Sequence, residues 1–357
     1  MKVCLYLEFY HFLGGILFKN IGTGLLTSYK NQKMMLDYLG IPFTEKWDDS
    51  CDILQANTYG PKSLYLMKKA KRQGKKAIIW AHVTVEDSMQ VFRFAPFIAP
   101  ILKKYLTYAY GLADLVFCPS EYTKSLLIAY GLPEYKLVAQ SNAVNLKHFY
   151  QDQKKRVSGR SRYQLTTITV GTTGLVIPRK GIDTFLLLAE KFKSNQFMWF
   201  GKIYSSLLVK PIPKNLPPNV RFTGYVNDIN EVYNAMDIFI FPSYEENQGM
   251  VILEAAAVGL PILLRDIPAY KGWLVHGKNC LKAKNNEEFE KYLKQLIDNG
   301  KLREKLGANA KILAKNESIE ILSKKLISRY KKLLKSKETA LPTERGRIVK
   351  ERSRSII

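Results

Sequence analysis

Cysteine is scarce and scattered in this chain of 357 residues. Cys4, Cys51, Cys118 and Cys280 form no CxxC pair, which argues against a zinc site and a disulfide framework and fits a reducing compartment. No run reaches the roughly 18 apolar residues that a membrane span requires. The best candidate, FAPFIAPIL at 94–102, is short and carries two prolines. No Asp-x-Asp occurs anywhere, so a metal-bridged diphosphate is not indicated and no metal site is expected. The start, MKVCLYLEFYHFLGGILFK, looks like a signal peptide at first sight. Glu8 and His11 break its apolar run and no small-residue cleavage site follows, so it reads as a buried strand and loop.

Acidic residues are also in short supply, with 31 Asp and Glu against 55 Lys and Arg, for a formal charge of +24. Such a surface meets polyanions: nucleic acid, anionic lipid or phosphorylated substrates. The basic stretches match no helix-turn-helix, RNP or zinc-finger pattern, which counts against a nucleic-acid-binding protein. Hydrophobic content of 46% and aromatic content of 12% describe a globular protein, long enough for two domains.

Strand-like and helix-like segments alternate. KVCLYLEF, DILQAN (52–57), KKAIIWAHV, LVFCPS (115–120) and KLVAQSN (136–142) read as strands, with helices such as LTSYKNQKMMLDYLG and PKSLYLMKKAKRQG between them. QDQKKRVSGRSRYQ (151–164) has no apolar periodicity and reads as a linker. The alternation restarts with LTTITVG (165–171), FMWFG, VRFTGYV, DIFIFPS (237–243) and PILLRD. This implies parallel sheets covered on both faces: an α/β fold of two doubly wound, Rossmann-like domains facing a cleft. Ligands then bind beyond the carboxyl ends of the strands.

The candidate chemistry falls at those ends. Glu246 follows DIFIFPS, and the loop Asn247-Gln248-Gly249-Met250 opens the helix MVILEAAAVG. A helix N-terminus there offers backbone N–H groups to an anion. Glu254 lies inside that helix, roughly 10 Å from Glu246 on the helical rise. One acid can meet sugar hydroxyls and the other ribose hydroxyls, with phosphates between; two solvated acids beside an ordinary helix would look the same. Arg179 and Lys180, in GLVIPRKGIDTF, can reach a pyrophosphate, or form a solvated basic turn. Gly22 and Gly24 in NIGTG suit a close phosphate approach or a tight turn. His82 ends a strand in IIWAHVT, a place for a core histidine or a cleft residue.

Taken together, PSYEENQGMVILEAAAVGLP and RKGIDTF resemble the donor-binding signature of the family 4 retaining glycosyltransferases of GT-B fold, and the likeness extends through about residue 335. HVTVEDSMQVFRF, FMWFG and LLRDIPAYKGWL resemble its glycolipid branch, whose members add a second hexose to monoglucosyl-diacylglycerol. The resemblance implies a UDP-sugar donor, UDP-glucose or UDP-galactose, and no bound cofactor. It implies that Glu246 holds the transferred sugar, that Asn247, Gln248, Gly249 and Met250 meet sugar and phosphate, and that Glu254 binds the ribose. Arg179 and Lys180 would neutralise the leaving diphosphate, Gly22 and Gly24 would line the phosphate, and His82 would contact the donor sugar. No nucleophile is assigned. Three departures stand out: Leu175 occupies a position where many members carry arginine, Asn142-Ala143 replaces the usual Asn-Gly turn, and the glutamate loop reads ENQG where a Gly-Phe pair is frequent, which leaves the donor sugar open.

The implied organisation is an acceptor-side domain over 1–155 and a nucleotide-sugar domain over 165–315. A basic helix over 316–337 crosses back to the first domain, and a disordered basic tail covers 338–357. In the first half, Phe94, Phe97, Ile98, Ile101 and Leu102 adjoin Lys103 and Lys104, a pattern suited to shallow insertion into an anionic bilayer. The expectation is a peripheral enzyme on the cytoplasmic face of the membrane with a glycolipid acceptor. The alternative is a transferase of the same family acting on a soluble or polyprenyl-linked glycan.

Overall fold

The protein is described here by a computed structural model covering residues 1–8, 24–89, 95–203 and 215–336. Gly22, Phe94 and the tail from 338 lie outside those residues. Short apolar runs form two parallel sheets. The first takes β1 (Val3–Tyr6), β2 (Phe43–Thr44), β3 (Ile53–Ala56), β4 (Lys76–Trp80), β5 (Leu115–Cys118) and β6 (Leu137–Ala139) in the order β2-β1-β3-β4-β5-β6. The second takes β7 (Thr169–Thr173), β8 (Gln196–Phe200), β9 (Val220–Gly224), β10 (Ile238–Phe241), β11 (Ile262–Arg265) and β12 (Leu281–Ala283) in the order β12-β11-β10-β7-β8-β9. Strands such as VCLY and IFIF are buried along their whole length, as a sheet covered by helices on both faces requires.

The strand order sets where a ligand can sit. In the second sheet the chain runs outward from β7 through β8 to β9, then returns to lay β10 on the other side of β7. The loops after β7 and β10 therefore part at a topological switch point. They carry Arg179-Lys180 and Ser243 to Met250. In the first sheet β1 lies between β2 and β3, and the loops after β3 and β4 carry Asn57 and His82.

Glycine is required where these loops are tight. Gly181 has φ of 76°, and a Cβ there would lie 2.2 Å from the Pro242 carbonyl oxygen, so the two loops can close on each other only without a side chain. At the departure Asn142-Ala143 the turn is kept: Ala143 itself adopts φ of 61°. Asn31 Nδ2 holds it by donating to the Asn142 and Ala143 carbonyl oxygens at 3.1 and 2.9 Å.

The stretch read as a linker is not one. Gln153–Arg162 is a helix, capped by the Asp152 side chain, and it lies on the helix Ile229–Ala235. Gly159 permits the approach, since a Cβ there would meet Ala235 Cβ at 2.9 Å. Charge replaces the missing apolar stripe. Asp237 accepts from Arg156 at 2.5 Å and Arg160 at 2.9 Å, and also from the Thr169 backbone N–H at 2.9 Å.

Beyond the second sheet the chain returns to the first. Ile319 N–H donates to the Val144 carbonyl at 3.1 Å, and the helix Ile319–Lys335 follows. Its Ile319, Leu322, Leu326 and Tyr330 enter the core formed by Val3, Leu5, Tyr29 and Met35, while Lys324, Lys325, Arg329, Lys331 and Lys332 stay exposed. No helix among the described residues is long and apolar enough to cross a membrane.

If charge holds Gln153–Arg162 in place, Asp237→Ala should cost about 2–4 kcal/mol in urea unfolding, because it strands two half-buried guanidinium groups. A loss within about 0.5 kcal/mol, the range of ordinary surface changes, would return this segment to the status of a loose connection.

Candidate active site

Three groups converge on one oxygen of Glu246. Lys180 Nζ donates to Oε1 at 2.5 Å, Ser243 Oγ at 2.6 Å, and Arg179 Nη1 stands at 3.3 Å. The carboxylate is buried, and so is Ser243. Burial opposes ionisation of Glu246, but Lys180 and Arg179 outweigh it and hold the carboxyl below the usual carboxylate range. Burial also lowers the Lys180 ammonium, and Glu246 counteracts it. Lys180 sits 4.8 Å above the Phe241 ring, which fixes its approach.

Arg179 spans the cleft. Its Nη1 lies 3.2 Å from Asp87 Oδ1, on the short helix Val85–Met89 after β4, and it also donates to the Glu245 carbonyl. Burial pushes the Asp87 carboxyl up to about 6, with Arg179 pulling the other way. Asp87 was not anticipated from the sequence. An acid next to Glu86 on a short helix gives no signal of its own, and only the fold brings it to an arginine of the other domain. Arg179 Nε and the Tyr270 hydroxyl are buried without a partner among the described residues, so this part of the cleft retains unused donors.

The loop Asn247 to Met250 belongs to both halves. Asn247 Nδ2 donates to the His82 carbonyl at 3.0 Å and to Asp87, and its Oδ1 accepts from Thr123 Oγ1 at 3.2 Å. Gln248 Oε1 accepts from the Asn142 backbone N–H at 3.0 Å and Nδ2 at 2.8 Å. Gly249 takes φ of 81° as the cap of the helix Met250–Val258, which Gly259 ends at φ of 88°. Gly24 lies in the helix Gly24–Tyr38, and a Cβ on it would be 3.9 Å from Met250 Sδ, so Gly24 faces this loop across the cleft.

Glu254 stands one level deeper. Its Oε2 accepts from the Tyr233 hydroxyl at 2.7 Å, and Tyr233 in turn pairs with Thr173 Oγ1 at 2.7 Å. Burial pushes the Glu254 carboxyl up to about 7, against the Tyr233 hydrogen bond. His82 stacks on Trp80 with centroids 5.8 Å apart, and its Nε2 lies 3.1 Å from Asn57 Oδ1. Burial lowers the His82 ring to about 3, so it is neutral at physiological pH.

The fold thus brings Gly24, His82, Arg179, Lys180, Glu246, Asn247, Gln248, Gly249, Met250 and Glu254 to one cleft between the two sheets. The proposed membrane residues lie elsewhere, on the helix Ala95–Gly111. Phe97 and Ile101 are 81% and 72% exposed, and Ile98, Tyr105 and Tyr108 continue the same face. Leu102 departs from the expectation: it packs inward against the first domain's core, because it lies well around the helix from Phe97. Lys104 is exposed, and Lys103 lies 5.2 Å from the Tyr130 ring.

Comparison with known proteins places two family models on the chain. Glycosyl transferases group 1 matches residues 154–313 and Glycosyltransferase Family 4 matches residues 28–148. A processive diacylglycerol alpha-glucosyltransferase of Acholeplasma laidlawii is 31% identical over 323 residues, covering 88% of this chain and 95% of that protein. An alpha-galactosylglucosyldiacylglycerol synthase of Streptococcus pneumoniae is 29% identical over 283 residues, covering 75% and 74%. Among solved structures, Anabaena Alr3699/HepE in complex with UDP-glucose has a similar fold, with a TM-score of 0.73, 15% identity, and coverage of 93% of this chain and 100% of that one.

Glu254 should titrate near pH 7, as read from its carboxyl carbon by NMR with loss of the signal in Glu254→Gln as assignment. Its folded value lies above the ordinary 4.5, so its contribution to stability is complete below about 4.5 and is lost as pH rises to about 7. Tyr233→Phe should raise the midpoint further. A midpoint at or below the ordinary value would contradict the burial seen here.

Proposed function

The chain belongs to the group 1 glycosyl transferases, with a family 4 glycosyltransferase domain ahead of the group 1 domain, and it is a glycosyltransferase of GT-B fold. From that premise we propose that it moves glucose or galactose, with retention, from a UDP-sugar to monoglucosyl-diacylglycerol, giving a diglycosyl-diacylglycerol. It works as a peripheral enzyme on the cytoplasmic face of the membrane. The observation that carries the reading is the largely buried Arg179–Lys180–Glu246 group at the switch point of the second sheet, bridged by Arg179 to Asp87 of the first.

That group suits a diphosphate. Two largely buried cations are balanced by two carboxylates, Glu246 and Asp87, and a diphosphate brings the same kind of charge. In the proposed reaction the acceptor hydroxyl oxygen bonds to the anomeric carbon on the face from which the diphosphate departs. The anomeric C–O bond breaks with its electron pair going to the diphosphate, and the hydroxyl proton follows to a phosphate oxygen. Arg179 and Lys180 meet the charge that grows there. Glu246 holds the transferred sugar, with the backbone of Asn247 to Met250 beside it; Gly24 lets that loop approach the first domain. Glu254, held by Tyr233, takes the ribose hydroxyls, and His82 contacts the donor sugar.

The acceptor rests on other support. The relative from Acholeplasma laidlawii, matched over nearly its whole length, is named for diacylglycerol glucosyl transfer. Phe97, Ile98, Ile101, Tyr105 and Tyr108 form an exposed apolar face, and Tyr65 of the neighbouring helix Pro61–Arg72 is exposed beside Lys62, Lys68 and Arg72. Apolar side chains ringed by cations lie in an anionic interface without crossing it.

Incubation with labelled UDP-glucose or UDP-galactose and monoglucosyl-diacylglycerol, read by thin-layer chromatography, should give a diglycosyl lipid. Efficient transfer to a water-soluble or polyprenyl-linked glycan, with none to the lipid, would replace this acceptor. Lys180→Ala should lower turnover on the order of 10²-fold, and chelator should leave the wild type active, since side chains supply the countercharge. In liposome flotation, Phe97→Ser with Ile101→Ser should abolish the salt-resistant part of binding while UDP affinity stays unchanged. Unaltered flotation of that variant would remove this helix from the membrane contact.

A further inference from the structure

A chain of buried side-chain hydrogen bonds joins the cleft loop of the second domain to His82 of the first. Its direction can be worked out from one backbone group. The Asn142 backbone N–H can only donate, so the Gln248 side chain turns Oε1 toward it at 3.0 Å. Asn142 must then offer Nδ2 to the same oxygen, at 2.8 Å, which leaves its Oδ1 to accept. Ser28 Oγ donates to that Oδ1 at 2.6 Å. The Ser28 proton is now committed, so Ser28 Oγ accepts from Gln32 Nε2 at 3.2 Å. Gln32 Nε2 also donates to Asn57 Oδ1 at 2.7 Å. Asn57 therefore presents an acceptor, not a donor, to His82 Nε2 at 3.1 Å.

All of these side chains but His82 are buried and His82 is partly so, which leaves water little chance to offer them alternatives. The orientation of Asn57 is imposed from outside, because its own Nδ2 finds no partner among the described residues. The chain has a side arm as well. Gln55 Nε2 donates to Gln32 Oε1 at 2.8 Å, and the Tyr330 hydroxyl, on the returning helix, donates to Gln55 Oε1 at 2.5 Å. That arm agrees in direction but does not lie between Gln248 and His82.

We propose that Ser28 and Gln32 are positioning residues, which pass the orientation set at the Gln248–Asn142 domain contact to His82 and hold its ring with the proton on Nε2. Nδ1 is then the lone-pair nitrogen and accepts from a hydroxyl of the donor hexose; this last step rests on the role given to His82 under the proposed function. The consequence is that His82 is set for its task only when the two domains meet at Gln248. Burial keeps the ring neutral, so the tautomer and not the charge is the property being controlled.

The test is the ring tautomer in the free, full-length protein, read from nitrogen–proton correlations of labelled histidine, with the His82 signals assigned by their loss in His82→Gln. Wild type should show the Nε2–H form. Ser28→Ala removes one hydroxyl and breaks the chain between Asn142 and Gln32. It should give a mixed or Nδ1–H ring and a turnover lowered roughly tenfold, the scale of one hydrogen bond. Tyr330→Phe removes an equally buried hydroxyl from the side arm. It should keep the wild-type tautomer and turnover, with unfolding curves checking that both variants fold. A Ser28→Ala ring that stays wholly Nε2–H overturns the proposal. So does a Tyr330→Phe variant that changes the ring equally, since that would mean general loosening. The spectrum needs no substrate, so a chain that transferred no hexose would defeat the proposed function and leave this result standing.

Discussion

Glu246 Oε1 is the atom on which the site depends. It receives Lys180 and Ser243 directly, with Arg179 close by, and Glu246 and Ser243 are both buried. Two largely buried cations this close need a carboxylate between them. Everything that frames the site serves that grouping. The parallel sheet ends β7 and β10 side by side, Gly181 lets their loops meet at the Pro242 carbonyl, and Asp87 supplies the second countercharge from the other sheet. The cations are thus held in place, each paired with carboxylates of the protein itself.

The same contacts join the two domains. Asn247 reaches the His82 carbonyl and Asp87, Gln248 reaches Asn142, and the chain returns through Ile319–Lys335 into the core of the first domain. The loop Asn247 to Met250 and the domain contact are one structure, so a shift of the loop and a shift between the domains go together. Ala143 illustrates the demand. It accepts a left-handed conformation that costs a residue with a Cβ roughly 1–2 kcal/mol, since the turn must present Asn142 to Gln248.

Much of this was legible in the sequence, for physical reasons. Strands buried on both faces must be short apolar runs, and loops that follow them must carry the chemistry; Glu246, Arg179, Lys180 and His82 could be placed on that basis alone. The resemblance to family 4 glycosyltransferases supplied roles that spacing could not. The misses have causes as definite. Gln153–Arg162 lacked an apolar stripe because it is held by Asp237 and Glu231, both more than sixty residues later. Leu102 was grouped with its apolar neighbours, although helical phase turns it away from Phe97. Asp87 and Gln32 act through partners distant in sequence. Gln55 did leave a trace, as a polar residue within a strand that is otherwise apolar.

The central claim is that Arg179 and Lys180 exchange carboxylates for the donor's diphosphate. A crystal structure of the protein with UDP tests it most directly. The account predicts diphosphate oxygens within hydrogen-bond distance of both side chains, a ribose diol on Glu254, and the Arg179–Asp87 contact of 3.2 Å opened. A diphosphate bound elsewhere, with Arg179 and Lys180 still closed on Glu246 and Asp87, would contradict it.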